Sequence, residues 1–134
     1  MLTELKVRAL FAGVFGYVGA FILFSVLLYA SIITGWGVLA IAFPLSAVFW
    51  LLSLIALASG GFIAGWLAGE RGLLHGFLVG LAGSLVVAGA FYVVSPHSWT
   101  EDWAPLVIVE LGPSIAFTMM GGSVGALLRR RQEL

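Results

Sequence analysis

The sequence predicts an all-α integral membrane protein, a four-helix bundle built as two hairpins, and three observations predict it. Charge is scarce: 62% of the 134 residues are hydrophobic and 9% charged, where a soluble domain is about a quarter charged. The mean hydropathy is +1.17, and a chain this short has too little interior to hide that much apolar surface from water. The apolar residues also form runs matched to a hydrocarbon core of about 30 Å, which takes roughly 20 helical residues to cross.

No charge occurs between Ala9 and Gly69, enough for two spans and a turn. The turn is Thr34-Gly35-Trp36-Gly37, where two glycines break the helix and a tryptophan suits the interface. The first helix should therefore run over about 6–33. The second should begin near Phe43-Pro44, because proline suits a first helical turn, and cover about 43–69. Glu70-Arg71-Gly72 is then a tight connection into a third helix over 73–94. The polar loop from Ser95 to Trp103 leads to the fourth, over 104–128, with Pro105 in its first turn. The whole chain, 1–134, reads as one transmembrane domain, and no cleaved leader is expected because the first apolar run is too long for one.

Orientation follows from the bases. Lys6, Arg8, Arg71, Arg129, Arg130 and Arg131 are all the lysines and arginines, and four spans place every one on the same side. The positive-inside rule makes that side cytoplasmic, with both termini there. The expected location is a cytoplasmic (inner) membrane.

Of 18 glycines, 14 fall in the halves nearest that side. Gly61, Gly65 and Gly69 repeat at spacing four, as do Gly72, Gly76 and Gly80, and Gly121, Gly122 and Gly125 close the fourth helix. In lipid, helices associate by close packing of small residues, so these glycines are expected to be helix-packing positions. Phe21, Phe24, Tyr29, Phe43, Phe49, Trp50, Phe91 and Tyr92 fill the other halves, so the bundle should be tight inside and wider outside. Gly60-Gly61-Phe62-Ile63-Ala64-Gly65 echoes Gly121-Gly122-Ser123-Val124-Gly125-Ala126, which suggests a parallel repeat of the two hairpins.

Glu110 is the one carboxylate inside a span. Ionisable groups at that depth are costly and face the bundle or a wet cavity. Glu110, Ser114 and Thr118 share a helix face, and Pro113 removes a backbone donor beside them; they form the candidate intramembrane polar site. The alternative for Glu110 is a structural hydrogen bond or simple reach to the interface. His75, in the first turn of the third helix, is expected at headgroup level. His97, Glu101 and Asp102 make only a weak metal cluster in a solvated loop, so no metal or other cofactor is expected. Cysteine is absent, which excludes disulfides and thiolate chemistry. No nucleophile-and-base, metalloprotease or phosphate-loop pattern occurs, so an enzyme is not expected. Zero net charge gives no electrostatic case for nucleic acid.

With the Gly60–Gly65 run, Gly69-Glu70-Arg71-Gly72, Leu74-His75-Gly76 and Gly121-Gly122-x2-Gly125-Ala126 before arginines, the chain resembles the YrzE-like bacterial membrane proteins. These are small four-span proteins with glycine-rich second and fourth helices, and the resemblance implies a bacterial cytoplasmic membrane without implying an activity. Gly121-Gly122-Ser123-Val124-Gly125-Ala126-Leu127-Leu128-Arg129 is also similar to a signature of dimeric four-helix fluoride channels. There it lies near the N-terminus; here it closes the chain without the expected pore residues, which reads as convergence on glycine packing. Small multidrug exporters carry a glutamate in the first helix, where this chain has none.

The function expected is structural or of interaction type: an accessory or assembly subunit of a membrane complex, or a homo-oligomer. Its partners would be membrane lipid and a membrane protein or a second copy. The alternative is a small dimeric transporter or channel using the Glu110 face.

Overall fold

The computed structural model describes residues 6–34, 45–94 and 103–134, with the side chains of 32, 45, 46, 48, 49, 91 and 103–110 excepted. Four α-helices carry the described chain: α1 Val7–Ile33, α2 Leu45–Ala68, α3 Gly72–Val94 and α4 Trp103–Gln132. Each is long and apolar enough to cross a membrane, so the molecule is a multi-pass membrane protein. Lipid offers the backbone no hydrogen bonds, so a spanning segment must satisfy its own, and an apolar run becomes a helix despite its glycines. α4 continues to Gln132, four residues past the expected end, because the arginines of its last turn suit the negative end of a helix dipole. It also continues through Pro113. The turn at Gly35 and the proposed start at Phe43-Pro44 lie outside the described residues.

Packing is unequal around the bundle. α4 meets α2 most extensively and also α3; α3 meets α2; and α1 lies on α2 and, less broadly, on α3. Among the described residues α1 and α4 barely touch. The core is thus a triangle of α2, α3 and α4, with α1 laid along the α2–α3 edge. Two parallel hairpins related by one axis would have to match the α2–α3 contact with an equal α1–α4 contact, so the repeat does not extend to the whole bundle.

Burial is confined to one end. The buried residues fall between Ala9 and Tyr17 in α1, Leu54 and Ala68 in α2, Gly72 and Ser84 in α3, and Ser114 and Ala126 in α4. Beyond Tyr17 in α1 and beyond Ser84 in α3 no described residue is buried. Tyr17 lies across Gly83, where a Cβ would come 2.6 Å from its Cγ, and its hydroxyl is 3.0 Å from Ser84 Oγ. That bond joins α1 to α3 at the upper limit of the core.

Candidate functional site

The glycines set how near the backbones come. A Cβ on Gly61 would strike the Thr118 carbonyl, and one on Gly65 the Gly122 carbonyl. Reciprocally, Gly121 faces the Ala58 carbonyl and Gly125 that of Phe62. The pairs rise together in number, so α2 and α4 run parallel, and a shift of 60 residues exchanges Gly61 with Gly121, Gly65 with Gly125 and Ala58 with Thr118. A local two-fold relation therefore links these two helices. It differs by one residue from the register of the sequence echo. Gly60, which that register pairs with Gly121, turns instead toward α1, where its Cβ would lie 2.8 Å from Tyr17 Cβ. Small residues match at either register; only the helix that each one faces decides between them.

α3 approaches α4 in the same way. A Cβ on Gly72 would sit 2.7 Å from Ala126 Cβ, one on Gly76 2.8 Å from Met119 Cα, and one on Gly80 3.0 Å from Ile115 Cα. Gly13 of α1 fits against Val79 Cγ2 at 2.6 Å and Ala64 Cβ at 2.7 Å. By contrast Gly89 and Gly112, in the other halves, have open space where a Cβ would stand, and so does Gly19, although it is one of the 14 nearest the basic side. Gly69 has a different role from its neighbours at spacing four. It follows α2 with φ of 73°, a left-handed conformation that favours glycine at a helix end, and its N–H donates to the Gly65 carbonyl at 2.9 Å.

Thr118 stands where the three core helices meet. Its side chain is 0% exposed, and its carbonyl is the surface on which both Gly61 and Gly76 rest. Its hydroxyl turns back on its own helix, shared between Ser114 O at 3.0 Å and Ile115 O at 2.8 Å, beside Gly80. Ser114 is buried as well. The Glu110 side chain lies outside the described residues, as do His97, Glu101 and Asp102. Of the candidate polar face, then, Ser114 and Thr118 are placed in the core, and at Thr118 the backbones of α2 and α3 close directly over α4.

His75, in the first turn of α3, is enclosed by the bundle and is 0% exposed. Its Nδ1–H donates to the Arg71 carbonyl at 3.1 Å, which also accepts from Leu74 N at 3.0 Å and His75 N at 3.1 Å. Nε2 is buried without a partner. Arg71 itself has φ of 47°, an uncommon conformation for a residue with a Cβ.

The bases form a second feature, beyond the topology they signal and the attraction for anionic lipid headgroups that Arg129-Arg130-Arg131 lead one to expect. The last carbonyls of a helix lack partners within it. Those of α2 are taken up by the two ends of the chain: Lys6 Nζ donates to Ala68 O at 2.8 Å. Arg129 Nη1 donates to Trp66 O at 2.9 Å and Leu67 O at 2.6 Å, and Arg130 Nε to Gly69 O at 3.3 Å. Arg129 Nε also meets Glu133 at 3.1 Å. With Gly65 O held by Gly69 N, every carbonyl from 65 to 69 is satisfied.

No known protein family, curated protein or solved structure matches the chain.

Proposed function

We propose that the protein is a structural or interaction element of the membrane, an accessory or assembly subunit or a self-associating bundle. The observation that carries this is the contrast between its two halves. At the glycine end, backbone contact at Thr118, Gly122 and Gly125 leaves no room for a water column among α2, α3 and α4. Toward the other end the helices offer uncovered apolar faces, among them Ile22, Leu23, Val26 and Leu27 of α1 and Leu85, Val86 and Val93 of α3. Such faces suit lipid or a neighbouring transmembrane helix, which associates by packing and not by exclusion of water. The glycines read best as the packing device that makes the bundle rigid enough to present them. By the positive-inside rule the bases favour a cytoplasmic glycine end, and the YrzE-like resemblance favours a bacterial inner membrane.

Gentle extraction through a C-terminal tag, followed by mass measurement of the intact particle, tests this. A stoichiometric membrane partner or a defined homo-oligomer supports it. A lone chain that conducts a solute in reconstituted vesicles, and stops when Glu110→Gln is introduced, would favour the transport reading instead.

A further inference from the structure

The clamp on α2 does not balance electrically. Lys6, Arg129 and Arg130 bring three positive charges to one helix end, Glu133 returns one, Glu70 and Arg71 just beyond Gly69 offset each other, and the helix dipole supplies about half a negative charge. About one and a half positive charges remain at the point where a spanning helix leaves the hydrocarbon. Directly below is an apolar groove of ≈ 270 Å³ lined by Phe62, Ile63, Trp66 and Leu67. Phe62 and Trp66 stack along it with ring centroids 5.9 Å apart. α1 and α4 flank this face of α2, since Ile63 Cδ1 reaches Gly16 of α1 and the Phe62 carbonyl meets Gly125 of α4. Those two helices do not close over it, because they scarcely touch each other. Trp66 and Leu67 join the two features: their side chains line the groove and their carbonyls hold Arg129.

We propose that this is a binding site for one anionic phospholipid, with an acyl chain against Phe62, Ile63, Trp66 and Leu67 and the phosphate at Lys6, Arg129 and Arg130. A cavity of about 150 Å³ holds a benzene, so a groove of ≈ 270 Å³ has room for a segment of one acyl chain. A zwitterionic headgroup would bring its own cation to a site already in excess of positive charge. A free phosphate would leave the groove unused. The site goes beyond a role in assembly and stands whether or not the chain has a protein partner.

The test is lipid retention by the full chain in nanodiscs of mixed phosphatidylcholine and phosphatidylglycerol, read by native mass spectrometry. The wild-type protein should retain phosphatidylglycerol well above its bulk share. Lys6→Gln and Arg130→Gln keep an N–H donor for the α2 carbonyls and remove a charge, and each should lower the enrichment about fivefold. Leu67→Trp, which fills the groove and leaves the charges, should release the lipid. Retention in the bulk ratio, or variants that match the wild type, would overturn the proposal. So would displacement of the lipid by millimolar inorganic phosphate, which would assign the cations to a free anion. Should the variants misfold, salt decides on the wild type alone: enrichment that does not fall as sodium chloride rises refutes the site.

Discussion

At the scale of single residues, the molecule distinguishes glycines that share a composition and a helix. Gly65→Ala and Gly122→Ala each place a methyl against a backbone carbonyl, Gly122 O of α4 and Gly72 O of α3 respectively, and neither can be accommodated without moving α4 away from α2 in the first case and from α3 in the second. Each should cost about 1–3 kcal/mol, the usual penalty of overpacking, measured as a lower midpoint of unfolding in mixed micelles. Gly89→Ala and Gly112→Ala meet nothing within 4 Å and should be neutral, or stabilising by up to about 1 kcal/mol through helix propensity. If all four variants lose stability alike, the glycines are not acting through interhelical contact. His75 invites a different comparison. Because Nε2 has no partner, an apolar ring of similar size forfeits only the Nδ1 bond, worth about 1 kcal/mol. His75→Ala leaves a cavity as well and should cost about 2–4 kcal/mol by analogy with other large-to-small changes. A His75→Phe variant as damaged as His75→Ala would mean that Nε2 has a bond of its own.

At the scale of the helix, α2 depends on residues far from it in sequence. Arg129→Ala exposes the Trp66 and Leu67 carbonyls at once, and we expect a loss of about 1–2 kcal/mol, the range of a lost cap. Glu133→Gln removes only the exposed partner of Arg129 and should change stability by less than about 0.5 kcal/mol. Hydrogen exchange would localise the first effect to the last turn of α2, and uniform exchange along that helix would speak against the clamp. This is also where the limit of sequence reading becomes visible. Hydropathy alone places all four helices, because the bilayer fixes their length and composition independently of partners. Which neighbour each face meets is a tertiary fact. Gly60 and Gly61 are adjacent, yet one turns to α1 and the other to α4. His75 stands in the first turn of its helix, and that the bundle encloses it there is a fact of packing that its place in the sequence does not show. The clamp was not legible, because its bases stand beside α1 and at the end of α4 and reach the end of α2 only once the helices have packed.

At the scale of the whole molecule, the six bases gather at the glycine end, and the orientation drawn from them has a direct check. The absence of native cysteine allows single cysteines to report on sidedness without background. Glu133→Cys should resist a membrane-impermeant maleimide in intact cells and react after permeabilisation, while Thr100→Cys should react in both. The reverse pattern would invert the topology. The clamp, finally, has a consequence in time. Among the groups that hold the end of α2, Lys6 is made first, but Arg129 follows Leu67 by 62 residues. At roughly 5–20 residues per second, the second helix waits about 3–12 s for it during synthesis. Through that interval the ribosome has delivered a helix whose end is still open to a chaperone or a protease, and the last turn of α4 is what withdraws it from their reach.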